Sequence, residues 1–369
     1  MKKRLLTLLT LLALAVTLTA HAQDTGSVPR VSYFTAADQN GVQQVYQLLL
    51  DGQSAARQIT RAASDVLTFG AAYDGLSIAY ISGGQLWGQS VHTEEPVLLA
   101  TLSAASMFSS PVYSQDNQYL AYADNGVWLL DLGTRATRQI LADVPLLQDG
   151  SNMADYRLYQ PVRFVLDAAG RAAQLVVDVY VWEWKTVGVY NLLDDTWQQL
   201  ANQNYTSLLP LSGGRVLIYG NNALSGAPAL AFAASLDNIN AYTEVVRFAD
   251  ITDATLFAEQ AVEITPGVVR IVGSALVSAA AGETAFFAFD YNLISGAGEV
   301  RFVTLPASST GSTMIGQIAP DGTLLPVYSD ALWTDTGSVY GALTLFDVAT
   351  GEPVAAPLPE TVGLLRWQP

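Results

Sequence analysis

The sequence predicts an all-β fold, a single β-propeller of seven four-stranded blades, and three observations carry that prediction. Short runs rich in Val, Leu, Tyr and Trp alternate with Gly, Asp, Asn and Pro along the chain, and helical periodicity is nearly absent after the first 22 residues. One such unit recurs at an offset of 42 residues, a period that suits a propeller blade. The two ends complement each other, because the first unit lacks an inner strand and the C-terminus supplies a lone one.

The clearest unit spans residues 107–142. Pro111 to Ser114 forms a first strand and Gln115-Asp116-Asn117 a turn. Tyr119 to Ala123 is a second strand, Asp124-Asn125-Gly126 a tight turn, and Val127 to Leu132 a third strand. Gly133-Thr134 turns again, and Arg138 to Leu141 closes the sheet. Asn, Asp and Gly stand where the chain needs positive φ or local side-chain bonds. A sheet of this kind has two faces to cover, which points to repetition around a ring.

In chain order, a leader comes first. Lys2, Lys3 and Arg4 precede an apolar run, Leu5 to Ala20, and Ala20-His21-Ala22 is a small-x-small cleavage signature. Cleavage is expected before Gln23, leaving a mature domain of residues 23–369, with an uncleaved anchor as the alternative. No cysteine stands near that point for lipid attachment, and no later apolar run is long enough to span a membrane. The product is expected to be secreted or periplasmic. Without cysteine it must be held by its core alone, and half the chain is hydrophobic. Losing Lys2, Lys3 and Arg4 leaves 14 basic against 33 acidic residues, a net charge of −19. Such a surface repels nucleic acid and anionic lipid.

The first blade holds three runs, Val31 to Ala36, Val42 to Leu50 and Arg57 to Thr60. In the second, Asp74-Gly75-Leu76-Ser77-Ile78-Ala79-Tyr80 lines up with Asp116 to Tyr122 of the third, and Trp87 with Trp128. Pro161 to Gly170 begins a fourth, with Gln174 to Trp184 and Val187 to Leu193 as middle strands. Leu208 to Gly214 begins a fifth, followed by Arg215 to Tyr219 and Ala229 to Ala234. Ile264 to Gly267 begins a sixth, with Phe286 to Tyr291 as a later strand. Ile318 to Gly322 begins a seventh, with Leu343 to Val348 as its third strand. The segment from Asp237 to Val262 is hard to parse, so six or eight blades stay open. Gly363 to Pro369 is expected to complete the first blade, which removes two open strand edges.

Tyr113-Ser114-Gln115-Asp116-Asn117, Ala319-Pro320-Asp321-Gly322 and Trp367-Gln368-Pro369 resemble degraded W-S-P-D-G turns of TolB-type, WD-like propeller repeats. Leu48 to Gly52 with Arg57 to Thr60, and Leu130 to Gly133 with Arg138 to Leu141, resemble the same family's repeat ending. The likeness is good over residues 31–142 and at the C-terminus, and faint between 150 and 310. It implies the fold and an exported setting. It does not imply the partner of TolB, for whose extra N-terminal domain no counterpart is expected here, and the motif is structural, so no functional residue transfers.

Residue arithmetic removes several chemistries. After the leader, His92 is the only histidine and cysteine is absent, so a Ser-His-Asp triad would need His92, expected in an outer turn of the second blade. Zinc sites built from His and Cys fall with it, and no phosphate-binding glycine loop is present. A carboxylate pair is the remaining catalytic option. Glu94-Glu95 and Asp194-Asp195 fall in expected hairpin turns, where neighbours point apart, and turn bonding accounts for Asp74, Asp116 and Asp321. Calcium stays open, since oxygen ligands suffice, but no dedicated loop is present. No cofactor is expected.

The densest aromatic segment is Tyr180-Val181-Trp182-Glu183-Trp184-Lys185. Read as one strand, it places Tyr180, Trp182 and Trp184 on one face. Both faces of a blade are packed, so core packing is the leading expectation. As a binding surface, Tyr180, Trp182, Trp184 and Lys185 are the residues to choose. The sequence thus points to a non-catalytic platform for an envelope protein or glycan. A carboxylate-based glycan hydrolase or lyase at the axial mouth is the alternative, and a purely structural module a third.

Overall fold

The computed structural model describes residues 31–368, except 52–53, 94, 104–108, 183, 202–205, 221–228, 279–282, 304–311 and 334–338. The leader and its cleavage point lie outside the described residues. The described strands form seven four-stranded antiparallel sheets, the blades of a propeller.

Blade three shows why the sequence folds this way. Val112–Tyr113, Tyr119–Ala123, Gly126–Asp131 and Thr137–Ala142 follow one another from the axis outwards. The turn between the middle pair takes positive φ at Asn125 (51°) and Gly126 (124°), and a Cβ on Gly126 would stand 2.1 Å from the Leu141 carbonyl oxygen. Only glycine fits there. Side chains alternate along Gly126–Asp131: Leu130 packs with blade two and Leu129 with blade four. Burial on both faces explains the apolar run Val127-Trp128-Leu129-Leu130.

The same logic runs around the ring. Seven apolar clusters fill the seven gaps between neighbouring blades. Each fully buried large side chain in them stabilises the fold by about 1.5–3 kcal/mol. The gap between blades five and six is the most aromatic, with Phe248 edge-on to Phe287 and Phe289.

The chain ends join as expected. Leu365–Trp367 is the inner strand of blade one, paired antiparallel with Val31–Ala37 through Ser32↔Trp367, Tyr33↔Arg366 and Phe34↔Leu365. The recurring turn aspartates do local work: Oδ1 of Asp74, Asp116 and Asp321 each accepts the amide two residues on. They also tie blades together, since Asp116 Oδ2 accepts the Ala172 amide of blade four and Asp74 Oδ2 accepts from Asn117 of blade three.

Three expectations need correction. Residues 237–262 hold the outer strand of blade five, Tyr242–Arg247, two short 3-10 turns, and the start of the inner strand of blade six, Thr255–Thr265. Blade six therefore begins at Thr255, and Ile264 to Gly267 ends its first strand. In blade four the inner strand starts earlier, at Leu158, and the second strand ends at Val181 rather than Trp184. Val181 pairs with Trp184, so Trp182 lies in a two-residue turn and the three aromatics do not share a strand face.

Candidate functional site: the channel mouth at blades four and five

The seven inner strands run side by side along an axial channel of about 780 Å³, lined by residues from every blade. That volume lies within the usual range for small-ligand sites. Because every blade repeats the same strand order, all inner strands begin at one mouth. The hairpin between the second and third strands of blade four, Ala172–Val181 and Trp184–Asn191, turns at that mouth, since Leu158 at the start of the inner strand faces Tyr180.

This hairpin places the predicted residues. Trp182 and Trp184 are 47% and 38% exposed on the rim, which corrects the core-packing expectation. Trp182 meets Tyr156 edge-on at 6.3 Å between ring centroids, joining the hairpin to the connection 143–157. That connection also exposes Leu147 and Met153. Tyr180 and Lys185 pair across the hairpin, and Lys185 lines the channel.

Lys185, the sole lysine after the leader, is held where several blade elements converge. Its Nζ donates to Asp178 Oδ2 at 3.0 Å and to Ser207 Oγ of blade five at 3.2 Å. The two side chains of the ion pair keep 25% and 18% exposure. Burial alone would lower the Lys185 pKa; the attraction of Asp178, with Tyr180 behind it, outweighs burial and raises it. Burial raises the phenols of Tyr180 and Tyr219 as well, although nearby Arg163 and Lys185 pull Tyr219 back down. Burial also raises the Asp178 carboxyl, and the Lys185 ammonium beside it pulls it partly back down; the cluster is this ion pair flanked by two phenols. It donates hydrogen bonds, and it holds no nucleophile poised beside a base.

Four further charged groups line the channel. One of them, Glu263 of blade six, accepts from the amide and hydroxyl of Ser212. Arg163, on the inner strand of blade four, makes no hydrogen bond or ion pair among the described residues. Arg366, on the inner strand of blade one, reaches past blade two to donate through Nη2 to Ser110 Oγ at 2.9 Å, and through Nη1 to Gln317 Oε1 of blade seven at 3.4 Å. Glu259 of blade six accepts from the amide and hydroxyl of Ser274, and burial raises its pKa.

The other sequence candidates sit elsewhere. His92 lies exposed in a turn after the third strand of blade two, remote from the inner strands. Glu94 lies outside the described residues and Glu95 is exposed. Asp194 and Asp195 occupy the outer hairpin turn of blade four, where Asp195 pairs with Arg138 and the Tyr190 hydroxyl. No group of three His, Asp or Glu residues able to hold a metal ion occurs among the described residues. Sequence reasoning passed over Arg163, Asp178, Ser207, Tyr219, Glu259 and Arg366. The signal was present for two of them: Arg163 and Arg366 are charges inside otherwise apolar inner strands, Pro161 to Val165 and Leu364 to Trp367.

The sequence matches no protein-family model and no curated protein. Its structure matches 660 solved chains. The β-propeller domain of the Trilobed protease from Pyrococcus furiosus is similar at TM-score 0.51 and 14% identity, over 89% of this chain and 94% of that one. An oligogalacturonate lyase in complex with manganese is similar at TM-score 0.52 and 12% identity, over 90% and 85%. TolB from Acinetobacter baumannii aligns at TM-score 0.49 and 11% identity, over 92% and 67%. The shared feature is the propeller fold. A fold found in both a protease domain and a lyase does not choose a function.

Proposed function

We propose that the protein is an exported, non-catalytic binding platform of the cell envelope, whose partner is a protein or a glycan docked at the mouth carrying Trp182 and Trp184. The observation that carries this reading is the exposure of two tryptophans on one hairpin, Trp182 in its turn and Trp184 at the start of its second strand, at the opening of a wide channel. A large aromatic left half in water gains by being covered, and Trp is enriched among the residues that dominate binding energy. The stiff ring holds the hairpin in place, so little ordering cost opposes docking. Export rests on the basic and apolar leader, residues 2–22, and no described helix is long and apolar enough to cross a membrane.

The test is affinity capture. The Gln23–Pro369 protein is immobilised, an envelope extract from its own source is passed over it, and the eluate is identified by mass spectrometry. One or two components retained reproducibly, and lost with Trp182→Ala/Trp184→Ala, support the platform.

A specific observation favours a second reading, a carboxylate-based glycan hydrolase or lyase. Asp178 and Glu259 line the same channel, and burial raises the pKa of Glu259, as a general acid requires. Each is tethered on its own blade, Asp178 by Lys185 and Glu259 by Ser274, which favours the binder. Glycan shortened on incubation with the protein would move the enzyme to first place.

A further inference from the structure

The channel lining carries three acids, Asp178, Glu259 and Glu263, and three cations, Lys185, Arg163 and Arg366, yet two of the cations are not paired with any of the acids. Glu263 is engaged by Ser212 and the Gly267 amide. Lys185 is neutralised by Asp178, and Glu259 is engaged by Ser274, but Arg163 and Arg366 have no carboxylate partner among the described residues. Arg366 is the more telling. Its guanidinium offers five N–H donors, and two are used, both on neutral oxygens. A guanidinium drawn out of bulk water and left without an anion is an expensive arrangement. Beside its partner Ser110 stands Ser109, a channel-lining residue only 8% exposed, whose buried hydroxyl has no hydrogen-bond partner among the described residues. Ser109 and Ser110 lead into the inner strand of blade three, which packs directly against blade four, where Arg163 faces the same lumen.

We infer that the channel holds an anion site, in which Arg366 and the Ser109 hydroxyl bind the carboxylate of a ligand and Arg163 supplies the second positive charge. A planar carboxylate accepts two parallel bonds from a guanidinium, which matches the donors Arg366 leaves unused. Ser109 then gains the acceptor it lacks. The low-dielectric walls of the channel strengthen both attractions relative to water. Two sources supply this chemistry, an acidic sugar or a small organic acid, and both reach the site through the mouth carrying Trp182 and Trp184. The inference deepens the binding reading above and rests on it.

The experiment is isothermal titration of the Gln23–Pro369 protein with D-glucuronate, with D-glucose as its neutral twin and succinate as a carboxylate without a sugar ring. Glucuronate is expected to bind and glucose not to bind. Succinate binding as tightly as glucuronate identifies the organic acid as the source, and weaker succinate binding identifies the sugar. Added salt weakens the interaction. Ser109→Ala removes a hydroxyl that holds nothing in the fold, so it should leave the melting temperature unchanged and weaken the carboxylate about tenfold, the loss expected for a hydrogen bond to a charged group. Arg163→Gln should act in the same direction, and it keeps the test open if Arg366→Gln loosens the ring. Equal binding of glucose and glucuronate, no carboxylate binding at millimolar concentration, or unchanged affinity in both Ser109→Ala and Arg163→Gln overturns the inference. The Trp182→Ala/Trp184→Ala protein is titrated in parallel. Carboxylate binding retained while envelope capture is lost leaves both readings standing. Envelope capture intact with no carboxylate binding overturns the anion site alone.

Discussion

Arg366 Nη2 donates to Ser110 Oγ at 2.9 Å although 256 positions separate the two residues. The bond crosses from the last strand of the chain to blade three, and it exists only because the ring is closed. Beside it, Trp367 is buried between blades one and seven and donates Nε1–H to the Gln317 carbonyl at 2.6 Å. Closure is therefore a stability element. Trp367→Ala is expected to cost about 3–5 kcal/mol, measured by urea unfolding. A loss under about 1 kcal/mol would show that the C-terminal strand contributes little.

Blades two and three approach closely at Gly70. A Cβ there would stand 1.9 Å from the Pro111 carbonyl oxygen, which is backbone and cannot rotate aside. Gly70→Ala should push the inner strands apart and cost about 1–3 kcal/mol, while Gly133→Ala, where a Cβ would meet nothing closer than 3.4 Å, has no such clash. Equal melting temperatures for Gly70→Ala and wild type would contradict the packing described.

Turn carboxylates set the response to acid. Backbone amides hold Asp131, Asp167 and Asp347 below the usual carboxylate range, through Thr134, Arg171 and Thr350 first. A carboxyl whose folded pKa is depressed contributes stability above its unfolded pKa, about 3.9, and loses it as pH falls through the folded value. The melting temperature should therefore fall as pH drops below about 4. Asp347→Asn should lower stability at neutral pH, with the difference from wild type shrinking as the solution is acidified. A constant difference would mean that charge plays no part.

Glu259 predicts the opposite sign. Burial raises its pKa, so the ionised form is penalised in the folded protein at neutral pH. Glu259→Gln keeps an acceptor for Ser274 and removes the charge. It should raise the melting temperature at pH 7, and the gain should vanish near pH 3, where the wild-type carboxyl is protonated. A fall at pH 7 would show that the charge itself is needed.

Trp182 and Trp184 lie on the rim, so their removal should spare the fold. The Trp182→Ala/Trp184→Ala protein is expected to unfold within about 1 kcal/mol of wild type, in contrast to Trp367→Ala. A larger loss would place the pair in the core after all.

The sequence by itself determined the propeller, the closing of its ring by the last strand, and the exclusion of histidine and cysteine chemistry. These are local or arithmetic properties. A turn is specified by a few adjacent residues such as Asp124-Asn125-Gly126, blades repeat that signal at a readable period, and an unmatched strand at each end has only one economical partner. The tertiary structure decided the site. Ser109, Arg163, Lys185 and Arg366 come from three blades, and only the ring brings them to one channel. It also decided that the second strand of blade four stops at Val181. Trp182-Glu183 has no turn chemistry of its own, so pairing of Val181 with Trp184 across the hairpin fixes the register there. That pairing moves two tryptophans from an expected core face to the rim, because a strand face and a hairpin turn differ in which atoms reach water.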